Sequence, residues 1–568
     1  MKKIILSLFL LFITALPCFA DSATEKKLMD LPLSLGPSQW QRLNDITYIK
    51  GQFSKLHAVD IKYDEASLTD SDKKMIAHLL EAADVMDQLF FLQVYAKNPE
   101  LLKNLESSSD PIDKLKLKYF LFQAGPFDRI NEMHNFLNHD KRPLGANFYP
   151  MDLTKTEFEN WIKNHPGDEK AFRSEFTIIK RDGEKLIAVP YNREYRQLLR
   201  KAGDSLKKAS CFAENETLKR YLLSRAEAFS TDDYYQSDVD WMTIENSNIE
   251  LIIGPYEVYE DNLLNYKAAY EAFIYQTIPK DAEEFSAFVK YLPELENNLP
   301  IPDADKNMDR DFTSPIRIVN LIRSAGDSKA GIHTSAFALP NDERVRKEKG
   351  SKKVMLKNVM SAKFNASTYP IGKKIITPDQ VKYIKFESYF RDVVFHEMAH
   401  GLGPGELKMA DGTKKDVRIC LGDLYSSIEE CKADTLAMYN QFYLMDKGII
   451  SKDDYENMCV SYLTGIFRSV RFGVGEAHGM GALIQLNWMI EKGAFNYNKA
   501  SGTYSVDFAK FREANKGLSK ALLDIQRKGN YNDAKVFIEK YGQVPEHLTI
   551  TLEKLYDIPI DIYPTFQK

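Results

Sequence analysis

Residues 396–407 read HEMAHGLGPGEL. Two histidines four positions apart leave the same face of a helix, so both imidazoles can close on one ion. Glu397, one residue round, falls where a carboxylate can hold a water against that ion. Two histidines do not complete a zinc site, which takes at least three protein ligands. The stretch therefore calls for a helix here and a third ligand elsewhere.

That ligand is found about thirty residues on. Residues 424–446, LYSSIEECKADTLAMYNQFYLMD, read as one amphipathic helix with Leu424, Ile428, Leu436, Met438 and Tyr439 as its apolar positions. Glu430 and Asp434 share a face at i,i+4. Glu430 can then bind the ion while Asp434 takes the other ring nitrogen of an imidazole, with Glu429 beside it. HExxH followed by ExxxD at this distance is similar to the pattern of thermolysin-like zinc peptidases. Two bland alternatives are a solvated acidic helix face and a pair of satisfied core histidines. The apolar context of Glu429 and Glu430 disfavours the first. Cys431 could itself be a soft metal ligand, but a buried free thiol is preferred, because neighbours on a helix point about 100° apart.

Working outward, helical periodicity dominates. Residues 68–97 repeat apolar positions at Met75, Ile76, Leu79, Leu80, Ala83, Met86 and Phe90, with Asp70 or Ser71 as the expected N-cap. Further helices are expected near 99–105, 111–122, 155–164, 193–228, 281–290, 383–401, 451–468, 479–492, 507–528 and 532–541. Strand-like runs are fewer: a hairpin over 175–191 turning at Asp182-Gly183, then 249–254, 317–323, 354–360 and 373–377. Proline-rich residues 293–303 mark a surface connection. The expected fold class is α+β and predominantly helical, in two lobes separated by a cleft. A mixed lobe with a small β-barrel or sheet takes 21–275 with 316–362. A helical, zinc-bearing lobe takes 276–315 with 363–545, and 546–568 form a C-terminal segment.

The 568 residues are 44% hydrophobic and 28% charged, which excludes disorder and fibrous repeats. Lys2 and Lys3 precede an apolar run ending at Cys18-Phe19-Ala20, the tripartite form of an export signal over residues 1–20. An uncleaved anchor is the alternative, for which the run is short. The expected product is exported, periplasmic or secreted, without a stable membrane span. Losing Lys2 and Lys3 moves the formal charge from −5 to −7, and no basic block suggests nucleic acid. Cys211, Cys420, Cys431 and Cys459 remain, too few for a disulfide scaffold.

In order along the chain, further segments resemble one family, dipeptidyl peptidase III and its bacterial relatives. EECKAD at 429–434 is similar to that family's EECRAE or EECKAD motif. GPYEVYED (254–261) with YEAF (270–273) resembles its GFIExYxD segment and following glutamate. ALPNDERV (338–345) stands where the family has NIPNYD, and EAHGMGAL (476–483) where it has an AHxxAR-type helix. The resemblance covers roughly residues 250–490. It implies a zinc exopeptidase that releases dipeptides from the N-termini of short peptides. His396, His400 and Glu430 would hold one Zn2+. Glu397 would be the general base, and Tyr259 and His478 would donate to the oxyanion. Glu257 and Asn341 would hold the substrate's α-amino group. Three departures stand out: a five-residue HExxH where most members have HExxGH, Ala338 in place of the first Asn of NIPN, and Ala482 in place of the Arg of AHxxAR. The last two bear on substrate choice and leave open another zinc aminopeptidase or amidohydrolase on the same core. A zinc-containing peptide-binding protein without turnover is a further alternative, disfavoured by the intact Glu397. A helical interaction protein without metal would need every site residue to coincide by accident.

Overall fold

The computed structural model describes residues 37–138, 140–308, 316–408 and 412–566. The expected export signal at 1–20 lies outside them. Among the described residues, no helix is long and apolar enough to cross a membrane.

The helix Asp70–Val94 (α1) shows how local sequence sets the frame. Its cap is Thr69, one residue before the expected Asp70 or Ser71. The Thr69 hydroxyl accepts from Asp72 N, and the Asp72 carboxylate accepts from Thr69 N at 3.1 Å. Two of the helix's unpaired N-terminal donors are thus satisfied reciprocally. The apolar stripe Met75, Ile76, Leu79, Ala83, Met86 and Phe90 is buried as its spacing requires. It lies under a five-stranded sheet, to which Gln93 and Asp87 pin it. Gln93 accepts from Tyr270 N at 2.9 Å, and Asp87 accepts from Gly326 N at 2.8 Å.

That sheet contains Ile249–Glu257 (β1), Ala269–Thr277 (β2), Ile316–Gly326 (β3), Ala336–Leu339 (β4) and Lys352–Leu356 (β5), in the order β1-β2-β3-β5-β4. All neighbours are antiparallel except β3 and β5. The sheet is open: β4 pairs only with β5, which leaves its other edge free among the described residues. Of the two expected forms, barrel or sheet, the described strands make the sheet. The two ends still approach, because the Asn341 amide donates to Tyr256 O at 3.0 Å.

Alternation along the strands divides the interior. Val354 and Leu356 face a core built on α1, Trp241 and β1–β3, whereas Met355, Ile316 and Ile318 face a second core. The second core gathers the helices Phe386–Ala399 (α2), Tyr425–Asp446 (α3), Tyr455–Val470 (α4), Ala477–Glu491 (α5) and Phe508–Lys528 (α6) through Phe395, Leu436, Leu463, Leu483 and Phe511. The C-terminal strand Asp561–Phe566 returns to pair in parallel with Leu56–Ile61.

Several expectations need correction. Of the expected strand at 373–377, residues 373–375 instead end a helix, Tyr369–Ile375, because Ile371 and Ile375 bury on one face at i,i+4, and Ile376 alone makes a β-bridge, to Tyr504. The segment 193–228 is not one helix. Asn215 accepts from Thr217 N and Leu218 N and so restarts the chain as a new helix. Residues 354–360 turn from strand to helix at Lys357. The 293–303 connection is not wholly on the surface, since Leu295 and Glu296 in the helical turn Leu292–Asn297 are buried. The hairpin over 175–191 forms as expected, with Gly183 at φ +61° supplying its left-handed turn residue. Among the described residues, Cys211, Cys420, Cys431 and Cys459 are unbridged, and Cys431 is buried.

Candidate metal centre

HExxH occupies the last turn of α2, with His400 as its C-cap. The end of a helix leaves carbonyls without intrahelical donors. Lys432 of α3 supplies one of the missing bonds, to Ala399 O at 3.0 Å, and a second to Leu402 O in the following turn at 3.1 Å. The lysine inside EECKAD thus clamps the two site helices together, and it also meets Glu429 at 2.8 Å.

The ring nitrogens then divide cleanly. His396 Nδ1 lies 2.6 Å from Asp434 Oδ1, and His400 Nδ1 lies 2.8 Å from Glu429 Oε1. Burial opposes charge on Glu429, but Lys432 and His400 outweigh it and bring its pKa to about 2. Burial likewise opposes charge on Asp434, and His396 reverses it, so this carboxyl sits below its ordinary value. Both are therefore carboxylates and accept only, which assigns an N–H to each Nδ1. Gln526 from α6 donates to Glu429 at 2.6 Å and Gln485 from α5 donates to Asp434 at 2.7 Å, holding both acids in place.

As a metal ligand each imidazole must be neutral, and with its proton on Nδ1 each Nε2 is then a bare lone pair. The two lie 3.0 Å apart, and Glu430 Oε2 sits 3.3 Å from that of His396 and 3.7 Å from that of His400. Glu430 Oε2 is buried and has no hydrogen-bond partner among the described residues. Three electron pairs facing one another repel unless a cation lies between them. Ligands at zinc distances of 2.0–2.1 Å in a tetrahedron stand ~3.3 Å apart, within this spread. Without a cation the centre gathers protons instead: burial opposes charge on His396, yet Asp434 and Glu430 push its pKa well above the ordinary histidine range. The donor set fits a divalent ion.

Distance alone also gathers His396, Glu430 and His478, whose ligand atoms lie within 4.8 Å of one another. His400 is better placed than His478 to serve as the third donor. The His400 Nε2 is nearer to the His396 nitrogen, and its Nδ1 is oriented by Glu429. His478, at the first turn of α5, is 55% exposed at its side chain, with Nδ1 3.2 Å from Glu430 Oε2. It therefore borders the centre from the solvent side.

Glu397 is half-buried, and desolvation opposes its charge, but Lys353, His396 and His400 hold its carboxyl below the ordinary value. It is a carboxylate, 3.3 Å from Lys353 Nζ.

The remaining expected residues form a separate group on the mixed lobe. Glu257 ends β1, and burial raises its carboxyl while Asn341 opposes the rise. Tyr259 follows in the next turn, 76% exposed, its phenol raised first by the charge of Glu257. Glu271, buried, and Asp327, half-buried, stand beside them. Burial lifts Glu271 well above the carboxylate range and Asp327 to about 7. No hydrogen bond or ion pair joins this group to the histidines among the described residues. Ala338 is exposed on β4, opposite Lys353 in the register. Ala482 is only 1% exposed and packs into the helical core, so it presents nothing to a substrate.

Reading the sequence alone missed Lys353, Gln485, Gln526 and Asp327. Lys432 lay within a recognised motif and Gln485 just beyond one, but all four missed residues are brought to the site by tertiary packing.

The family model for peptidase family M49 matches residues 167–418. A solved structure of DPP III from Caldithrix abyssi superposes with a TM-score of 0.89 at 47% identity, covering 91% of this chain and 99% of that one. A structure of dipeptidyl-peptidase III from Corallococcus sp. strain EGB superposes with a TM-score of 0.76 at 39% identity, covering 91% and 96%. An Arabidopsis thaliana protein named Nudix hydrolase 3 is 36% identical over 91% of this chain and 74% of its own length.

Proposed function

Because the chain belongs to the dipeptidyl peptidase III family of peptidases, peptidase family M49, we propose that it is a zinc exopeptidase that removes dipeptides from the N-termini of short peptides. The observation that carries this reading is the convergence of His396 Nε2, His400 Nε2 and Glu430 Oε2, with both Nδ1 atoms turned to Asp434 and Glu429. When bound there, the ion supplies Lewis acidity that polarises a carbonyl and acidifies water.

The chain's own residues do the rest. Glu397, ionised, takes the proton from the attacking water at a carboxylate oxygen and delivers it to the leaving amine. His478 and Tyr259 reach the attacked carbonyl from opposite lobes and donate to its developing negative charge. Glu257 with Asn341 receives the substrate's α-ammonium. Glu257, Glu271 and Asp327 crowd three carboxyls that burial pushes toward the neutral form. An ammonium supplies the missing opposite charge. The free edge of β4 offers main-chain groups to an extended peptide. From the pattern of residues 1–20 we place the peptidase outside the cytoplasm.

The test is mass spectrometry of products from a set of defined peptides, each with a free or an acetylated N-terminus. The expected products are successive dipeptides from free termini only, absent with Glu397→Gln. Single amino acids or internal fragments would retain the metal chemistry and discard the dipeptide assignment.

A further inference from the structure

Lys352 and Lys353 are adjacent on β5 and point to opposite faces. Lys352 is fully buried on the mixed-lobe side, donating to Trp241 O at 2.6 Å. Lys353 rises from the other face toward the end of α2. Its ammonium meets Glu397 twice, at the main-chain oxygen at 2.5 Å and at the carboxylate at 3.3 Å. Across the register stands Ala338, whose single methyl leaves the long side chain room on that face. No other side chain donates to the Glu397 carboxylate among the described residues.

We infer that Lys353 is the positioning residue of the general base: by gripping Glu397 at both main chain and carboxylate, it fixes one carboxylate rotamer beside the histidines. A glutamate has several rotatable bonds, and a base must stand within hydrogen-bond reach of the proton it takes. The main-chain contact matters as much as the ionic one. It ties the cation to the C-terminal end of the helix, where positive charge is favoured and the ammonium can register the carboxylate against a fixed point. The tie also joins the sheet to the helix that carries the histidines, so the base is held by an element outside the zinc-binding helices. The inference rests on the proposed peptidase reading for its kinetic part only.

The experiment compares wild type, Lys353→Met, Lys353→Arg and Lys353→Ala in peptide turnover, metal content and thermal unfolding. Lys353→Met is expected to lower kcat by about 10–100-fold, with KM within a few-fold and metal content unchanged. Lys353→Arg should recover most of the loss. Ethylammonium chloride should restore part of the activity of Lys353→Ala, compared with sodium chloride at the same ionic strength, a response that a merely structural lysine would not give. Unchanged kcat in Lys353→Met, or a loss that appears only in KM or in metal content, overturns the inference. A thermal double-mutant cycle of Lys353→Met and Glu397→Gln stands apart from turnover. The double variant is expected to lose less melting temperature than the two single losses added together, and strict additivity overturns the contact. If wild type cleaves no peptide, the peptidase reading fails, and this cycle still decides whether Lys353 holds Glu397.

Discussion

At the scale of single residues, the centre is organised by which nitrogen faces which oxygen. Asp434 and Glu429 each fix a tautomer, and the tautomers leave the metal-facing nitrogens bare. Glu429 carries a measurable consequence for stability. Its carboxyl is lowered from 4.5 to about 2 in the folded chain. A depressed carboxyl stabilises the fold above its unfolded pKa, and that contribution disappears as pH falls through the folded value. Metal-free protein should therefore lose on the order of 3 kcal/mol from this group between about pH 4.5 and pH 2. Glu429→Gln should be less stable at pH 7, because the buried Lys432 loses its ion-pair partner, and flatter across that window. Urea unfolding at a series of pH values checks both, and parallel curves for the two proteins would contradict the assignment. The ligands at this scale were legible because helical spacing alone puts 396 with 400 and 430 with 434. Gln526, nearly a hundred positions beyond Glu429, could not be, since only the packing of α6 on α3 brings it there.

At the scale of elements, the site depends on how closely two helices approach. A Cβ placed on Gly481 of α5 would stand 3.1 Å from Cys431 N and 3.4 Å from its Cα on α3. Backbone cannot move aside as a side-chain tip can, so the glycine is what lets α5 lie flat on the ligand helix. Gly481→Val is expected to cost about 1–3 kcal/mol of stability by overpacking. It should also lift His478 away from Glu430, lowering turnover more than metal affinity. Calorimetry beside metal titration measures the two effects, and a variant as stable as wild type would refute this role. Element boundaries followed the sequence where a cap or a strong stripe marked them, as at α1. They departed where tertiary burial chose the period. Residues 371–376 carry apolar side chains in a spacing that suits either a strand or a helical turn, and the helical-lobe core selected the helix.

At the scale of the whole molecule, two hydrophobic cores meet across one open sheet, with the histidines on one side and the acidic group of Glu257, Glu271 and Asp327 on the other. A change from mixed to helical periodicity along the chain let the sequence suggest two lobes. It could not show that single strands, β3 and β5, serve both cores through alternate side chains, because alternation in a strand buried on both faces leaves no polar mark. In the proposed reading, the amino end of a peptide would meet the acidic group and its second peptide bond would meet the ion. The most direct measurement is the turnover of a free-amine peptide by chelator-stripped protein as zinc is added back in known amounts. The account predicts that dipeptide release returns linearly and saturates at one zinc per chain, and that Glu430→Gln neither binds the ion tightly nor recovers activity. Full dipeptide release from protein shown to hold no metal would contradict it.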